Sequence, residues 1–338
     1  MEEQTYRNNE SGKLCRPFHD RAEVTCRSYS TRLQRAITDF GADLPFAQVR
    51  EKILEHYGIH IANGAAATIT ESHARRLNES DMTPAIRPAQ AELTLIAQVD
   101  GSMIPIVQTG NADESGPQDR RKTRKLFWKE AKLSMIRRAD EVTPIFAVTL
   151  GEVATAGADL MRLATAAGFN KRSHVHGLGD GASWIEAQME QQFGAQCRYH
   201  VDFFHVCDYL AAAKPCAAND PDWMEAQKAR LKSNQLPAVL MALSPRLESE
   251  TLPSEDAPVR ACYRYLVNRP GQFQYQAAIK AGLPIGSGEV ESAHRYVIQK
   301  RLKLSGAWWT SENAQIMLNL RVTRANGGWH QYWNRLAA

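Results

Sequence analysis

The spacing of apolar residues predicts short helices near the start of the chain, beyond a polar first segment. Leu33, Ile37 and Phe40 recur at near-helical intervals, and GADLPFAQVREKILEHYG and IHIANGAAATITESHARRL each predict a further helix next to a turn. The last of these helices carries three polar or basic residues: His73, Arg75 and Arg76. Short helices of this kind are typical of a helix-turn-helix reader of DNA and also of a plain helical bundle, so both interpretations stay open.

Beyond a polar linker with two prolines, residues 78–90, the hydrophobic period changes to that of strands. Residues 91–108 predict an apolar strand that ends at Asp100 and a second short strand after it. SHVHGLGDGASW predicts another strand, again ending in an acid before glycine, Asp180. FWKEAKLSMIRRAD, TPIFAVTLG and AQCRYHVDFFHV are further strand candidates, and residues 152–170 fit an amphipathic helix. This part of the chain therefore mixes strands and helices.

The following stretch, residues 215–279, is helical in pattern and interrupted by prolines, which indicates a helical insertion or subdomain. After it comes GSGEVESAHRYVIQKRLKLSGAWW, in which Ser287 is placed to cap a helix whose first turn holds Glu289 and Glu291. Basic residues fall along the later turns. The segment fits a carboxylate site beside a phosphate backbone, or an ordinary surface helix with complementary charges.

The composition is that of an ordinary globular protein: 338 residues, 43% hydrophobic and 23% charged, with a formal net charge of +4. No apolar run of spanning length and no signal peptide is evident in the sequence, and six scattered cysteines are too sparse for a disulfide framework. These features predict a cytoplasmic protein without membrane partners. Cys15, His19 and Cys26 are zinc-type ligands, but they lack a fourth ligand and the close cysteine pair, so a mobile arm is the default.

Charge is concentrated locally, in a basic run that fits a polyanion or a solvated charged face. The run comprises Arg120, Arg121, Lys122, Arg124 and Lys125.

Three acids share a setting that suits metal-dependent phosphoryl transfer. Asp100 and Asp180 each end an apolar strand before glycine, and Glu291 begins a helix far downstream. Carboxylates converging from separate elements are the ligands of a two-metal site holding Mg²⁺ or Mn²⁺. Taken singly, each Asp-Gly is more often a turn. The three together predict the site.

The motifs VDGSMIPI, GDGASWI, HVDFFHVCDYL and GSGEVESAHRYVIQKRLKLSGAWW, in this order, resemble bacterial insertion-sequence transposases of the Mutator-like DDE group, most closely the Kra type. The resemblance covers the chain from about residue 30 onward. It implies an α/β fold with an RNase H-like mixed-sheet core and a helical insertion between the second and third acids. It also implies that Asp100, Asp180 and Glu291 are the catalytic, metal-binding residues. Relatives often carry a fuller N-terminal zinc ribbon, which predicts an N-terminally shortened copy.

The same resemblance matches Asp202 and His205 to a family Asp/Cys-x2-His motif. These two residues position the DNA or orient the site, or they form a satisfied polar pair. Glu289 competes with Glu291 as the metal ligand, since residues two apart on a helix cannot share a face, and the family's VES motif favours Glu291.

Residues beyond Glu291 are candidate DNA contacts. Arg295, one turn further on the same face, is placed to meet phosphate or to neutralise the acid. Lys300, Arg301 and Lys303 are predicted to contact the DNA backbone. Trp308 is predicted to stack on an unpaired base, although an adjacent Trp pair more often supplies one core and one boundary residue.

We therefore expect a transposase that cleaves DNA and transfers the freed strand, acting on double-stranded DNA at element ends and targets. It is expected to be a homo-oligomer on DNA, and to be nucleoid-associated when bound. The alternatives are a nuclease or resolvase on the same core and a non-catalytic DNA-binding remnant. The predicted segments are a polar arm or zinc-ribbon remnant (1–29), a helical DNA-binding region with linker (30–90), the first part of the core (91–214), the insertion (215–284) and the last part of the core (285–338).

Overall fold

The computed structural model describes residues 4–9, 11–17, 21, 24–25, 29–62, 64–80, 84–88, 92–109, 124–217 and 220–337. The chain forms two compact units, each assembled from separate stretches of sequence. The first unit comprises residues 1–83, 103–129 and 295–338, and the second comprises residues 84–102 and 130–294.

The second unit holds most of a five-stranded mixed sheet. Its strands are β5 (Thr94–Thr109), β6 (Arg124–Arg138), β7 (Ile145–Thr149), β8 (His174–Gly179) and β9 (Cys197–Val201). The division into units crosses two of these strands, since the end of β5 from residue 103 and the start of β6 up to residue 129 belong to the first unit. The order across the sheet is β7-β6-β5-β8-β9, with β7 antiparallel to β6 and with β5, β8 and β9 mutually parallel. This is the RNase H-like arrangement, and the predicted fold class is confirmed.

Two helices follow strands of this sheet, α4 (Val153–Ala166) after β7 and α5 (Ser183–Phe193) after β8. Their apolar faces pack with the sheet in one core that includes Leu95, Leu160 and Met189. The helix predicted over residues 152–170 is confirmed, with bounds of Val153–Ala166. Burial of β5 and β8 on both faces of the sheet explains their continuous apolar sequences.

The predicted helical region after β9 is present. It contains α6 (Phe203–Ala217), α7 (Trp223–Lys232), α8 (Leu236–Leu243), α9 (Pro258–Val267) and α10 (Tyr275–Lys280). These helices share a core of their own, around Leu210, Leu231 and Leu266. Prolines mark helix starts here, since Pro237 and Pro258 lie in the first turns of α8 and α9, where a missing N–H leaves no hydrogen bond unmade.

The third predicted acid lies in the short helix α11 (Gly288–Ala293), which leads into a π-helix at His294–Gln299 and a short α12 (Lys300–Leu302). The chain then ends with α13 (Ser311–Ala325) and α14 (Trp329–Ala337).

The first unit begins with short strands, β1 (Tyr6–Arg7) paired with β2 (Leu14–Cys15) and β3 (Val24–Thr25) paired with β4 (Tyr29–Ser30). The helices α1 (Thr31–Asp43), α2 (Phe46–Tyr57) and α3 (Ala65–Glu79) follow and pack around Ile37, Ile53 and Ile69. Ser30 caps α1, because its Oγ accepts a hydrogen bond from the Leu33 amide at 3.3 Å.

Two local expectations need correction. β5 runs through Asp100 without a break, so the acid lies inside a strand and not at its end. His73, considered as part of a DNA-reading helix, is buried, with its ring nitrogens 2.7 Å from the Tyr332 hydroxyl and 2.9 Å from Oε1 of Gln34. Hydrogen-bond partners within the first unit satisfy both ring nitrogens.

None of the helices in the described part of the chain has the length and apolar character needed to span a membrane.

Candidate active site

Asp100 is half-buried in β5 and lies among other carboxylates. Its Oδ1 accepts a hydrogen bond from the Gly101 amide at 2.7 Å. Burial first, and then the charges of Asp180, Glu291 and Glu130, raise the pKa of Asp100 to about 6, although the Gly101 hydrogen bond acts to lower it. The negative charges of the other two predicted acids, Asp180 and Glu291, therefore both act on Asp100.

Asp180 follows β8 in a loop held by several hydrogen bonds. Its Oδ1 accepts from the Ala182 amide at 2.8 Å, and Gly181 adopts a φ of 84°, which a side chain would strain. The Tyr265 hydroxyl donates to the Asp180 carbonyl at 2.6 Å, and Nε of Arg269 donates to the Gly181 carbonyl at 2.8 Å. The Gly181 amide donates to the Tyr199 hydroxyl at 3.3 Å. The helical insertion therefore fixes the backbone that carries the second acid.

The two glutamates of α11 have different partners. Glu289 receives both Nε and Nη2 of Arg137, at 2.6 and 2.7 Å, in a bidentate ion pair. Glu291 is exposed, with its Oε1 3.4 Å from Oγ of Ser287, and it forms no ion pair with any described residue. Glu291 is therefore the acid with oxygens available to a cation, whereas Glu289 is held in an ion pair.

Asp202 joins two elements around the site. Its Oδ1 accepts from the amides of Phe204 and His205, at 2.6 and 2.9 Å, and so caps α6. Its Oδ2 accepts from the amide and, at 2.6 Å, the hydroxyl of Ser287. The expectation that Ser287 caps α11 is wrong, since α11 has no side-chain cap and the hydroxyl is directed to Asp202. Buried Asp202 is thus a satisfied polar group that also orients the segment before Glu291.

His205 is half-buried and packs by its ring. Its centroid lies 5.5 Å from that of Tyr209 and 5.8 Å from that of Tyr265, both edge to face. Tyr209 and Tyr265 stack on each other at 4.0 Å. Through Tyr265, His205 supports the loop of Asp180.

Several site residues were missed from the sequence. Nε2 of His294 lies 3.2 Å from Oδ2 of Asp100, with the histidine 3% exposed. Gln98 accepts the Val290 amide at 3.0 Å and so connects β5 to α11. His294 is three residues after Glu291, a spacing that places both on one helix face and would have identified it. No local signal marks Gln98, Arg137, Tyr265 or Arg269, because their partners are distant in sequence.

The donor set fits a hard divalent cation, although the described residues include no group of three His, Cys, Asp or Glu side chains close enough to hold one as they stand. Carboxylate oxygens are the ligands that Mg²⁺ and Mn²⁺ prefer. The raised pKa of Asp100 reflects burial and uncompensated negative charge, which a cation would relieve.

The predicted DNA contacts divide by exposure. Arg124, Lys125, Arg295, Lys300 and Lys303 are exposed, and Trp308 is 40% exposed beside a buried Trp309. The guanidinium of Arg124 lies 3.5 Å from the ring centroid of Trp308. Arg120, Arg121 and Lys122 lie outside the described residues. So do His19 and Cys26 of the possible zinc ligands, while Cys15 is exposed in β2.

Arg301 is corrected from a DNA contact to an internal residue. It is 2% exposed, its Nε donates to the Gly41 carbonyl at 3.0 Å, and its guanidinium lies over the rings of Phe46 and Trp309. Burial lowers its pKa to about 10. The prediction followed the basic residues alone. Val297, Ile298 and Leu302 are buried at helical spacing, and Arg301, four residues after Val297, lies on the same inward face.

Comparison with known proteins gives two similarities. Residues 168–334, just under half of the chain, match the model of UPF0236, an uncharacterised protein family. That stretch includes Asp180, Asp202 and Glu291 and leaves out Asp100. No curated protein matches the chain. Among solved structures, it is similar to the "Drosophila P element transposase strand transfer complex", at 8% identity over 94% of this chain and 83% of that one, with a TM-score of 0.31.

Proposed function

We propose that this chain is a DDE transposase, which cleaves DNA at the ends of an insertion sequence and joins the freed 3′-OH to target DNA. The observation that carries the proposal is the surroundings of Asp100, whose pKa is raised by burial and by the acids that the sequence motifs single out, Asp180 and Glu291. Separate elements of one unit supply these carboxylates, while the competing Glu289 forms an ion pair with Arg137.

Asp100, Asp180 and Glu291 would hold two Mg²⁺ or Mn²⁺ ions. When bound, such ions activate a water or a DNA hydroxyl and stabilise the leaving oxygen. The chain itself orients the acids: His294 contacts Asp100, Tyr265 and Arg269 fix the loop of Asp180, and Asp202 holds Ser287 before α11. Because no three acidic or metal-ligating side chains of the described residues lie close enough to hold a cation as they stand, metal binding would have to draw these carboxylates together.

The order of the four sequence motifs supports the finer assignment to the Mutator-like group, of the Kra type. Double-stranded DNA, at element ends and at targets, is the proposed partner, and the protein is proposed to act as a homo-oligomer on it. Exposed Lys300 and Lys303 are proposed to contact the DNA backbone without reading sequence. In the cell, the protein is proposed to be cytoplasmic and associated with the nucleoid when it binds DNA.

A strand-transfer assay separates this function from its alternatives. Donor duplexes made from the DNA that flanks the gene, intact or pre-nicked, are incubated with a target plasmid and Mg²⁺. A transposase joins the pre-nicked end to the target. A nuclease or resolvase cleaves intact donor without joining it, and a DNA-binding remnant shifts the donor in a gel without cleaving it. Absence of joined product with pre-nicked donor would contradict the proposal.

A further inference from the structure

The amino-terminal half of β6 exposes apolar side chains next to cations. Leu126 is 52% exposed and Trp128 57% exposed, and Arg124 and Lys125 are exposed beside them. Phe127 is 38% exposed as well. Clustered exposed apolar groups mark interaction surfaces in soluble proteins, so we expect this segment to bind a partner.

Alternation along the strand places Arg124, Leu126 and Trp128 on one face, at intervals of roughly 7 Å. Trp308 belongs to the same face, since the guanidinium of Arg124 lies 3.5 Å from its ring centroid. The result is a row of aromatic, cationic, aliphatic and aromatic groups, all within the first unit. We refer to these four residues as the β6 face.

We propose that the β6 face binds an unpaired DNA strand. This inference rests on the proposed function, which frees a 3′ strand, and it names where that strand lies. Bases of an unpaired strand present ring faces that stack on Trp128 and Trp308, while Arg124, on the same face, attracts a phosphate. Paired bases in a duplex offer no such ring faces to an exposed tryptophan.

Charge argues against a second copy of the chain as the occupant. Residues 124–129 contain three cations and no acid. Antiparallel pairing of this segment with itself, centred on Leu126 and Phe127, sets Arg124 of one copy opposite Lys129 of the other. Like charges directly opposite each other destabilise a strand pair. A polyanion matches the surface and a second copy does not.

The test is fluorescence anisotropy of the full chain with labelled oligo(dT) and with a labelled duplex, in EDTA so that no cleavage occurs. Trp128→Ala is expected to weaken oligo(dT) binding by about 5- to 150-fold, from the loss of one stacking interaction, and to leave duplex affinity within about twofold. Trp128→Phe retains a ring and is expected to recover most of the affinity. Met241→Ala and Arg246→Ala, exposed positions in the insertion, are the matched controls.

Unchanged oligo(dT) affinity in Trp128→Ala, or an equal loss for duplex and single strand, would overturn the proposal. So would dissociation of an oligomer by Trp128→Ala in sedimentation velocity without a change in oligo(dT) binding, because the face would then be a protein contact. A wild-type chain that binds oligo(dT) through Trp128 but transfers no strand would support the binding role of this surface. The same result would refute the transposase function.

Discussion

Glu289 and Glu291 lie two residues apart in α11, and their environments give them different roles. Arg137 binds Glu289 through two nitrogens, whereas the oxygens of Glu291 face solvent near Ser287. Side-chain geometry on a helix excludes a shared face but does not say which acid turns to the site. The arginine that decides this comes from β6, far away in sequence, so the sequence pattern alone left two candidates.

These environments predict different consequences for stability. Glu289→Gln is expected to lower the free energy of unfolding by about 1.5–3 kcal/mol, because it leaves the half-buried Arg137 without its charged partner. Glu291→Gln removes an exposed charge near other carboxylates and is expected to cost no stability. Urea unfolding of both variants measures the difference. A Glu291→Gln protein less stable than Glu289→Gln would show that the two roles are assigned the wrong way round.

Asp100 predicts a pH dependence of stability in the metal-free protein. Its folded-state pKa, about 6, lies above the usual aspartate value of 3.8, so the folded state favours the protonated form. That contribution is fully present below pH 3.8 and is lost as the pH rises through 6. Asp100→Asn carries no such loss.

The advantage of Asp100→Asn over wild type in urea unfolding should therefore grow by about 2 kcal/mol between pH 4 and pH 8 in EDTA. Met241→Ala, a substitution at an exposed position that changes no charge, is the control, and its difference from wild type should stay constant between the two pH values. The same advantage for Asp100→Asn at both pH values would contradict the raised pKa.

At the scale of elements, the loop of Asp180 depends on the helical insertion. Tyr265 follows β9 by more than sixty residues, yet its hydroxyl bonds the carbonyl of the second acid, and the guanidinium of Arg269 lies 3.8 Å from the Tyr265 ring centroid. His205 and Tyr209 support the same ring. The insertion thus holds one wall of the candidate site.

Tyr265→Phe tests this arrangement because it removes one donor and keeps the ring. Amide hydrogen exchange in the peptide that contains Gly181 and Ala182 is expected to accelerate by roughly 2- to 12-fold, corresponding to about 0.5–1.5 kcal/mol. Tyr263→Phe, in the same helix α9, should leave that peptide unchanged. Equal exchange in wild type and Tyr265→Phe would mean that the hydroxyl does not restrain the loop.

Element boundaries were the weaker part of the sequence analysis. Asp100–Gly101 has the composition of a turn, but β5 continues through it, and flanking strand residues such as Val99 and Ile104 are buried. The π-helix after α11 likewise has no clear sequence signature. Arg301 was wrongly predicted from its charge, although its spacing of four residues from buried Val297 places it on the inward face.

At the scale of the whole chain, the order of strands and helices was predictable from periodicity, and the RNase H-like sheet followed from the motif resemblance. Five strands with the order β7-β6-β5-β8-β9 place β5 and β8, the strands of the two aspartates, side by side. Adjacent parallel strands explain why the charge of Asp180 contributes to the raised pKa of Asp100, eighty residues away in sequence. Contacts made by the insertion had no sequence pattern to reveal them, since helical periodicity predicts a buried face but not its partner.

The measurement that tests the central claim most directly is Mg²⁺-dependent strand transfer by wild type, Asp100→Asn and Glu291→Gln, with Glu190→Gln as control. Flanking-sequence donor DNA, pre-nicked at its ends, is mixed with a target plasmid, and DNA binding is measured in parallel. The account predicts joined product from wild type and Glu190→Gln, none from the two acid variants, and similar DNA binding by all four. Wild-type joining by Asp100→Asn or Glu291→Gln would contradict it.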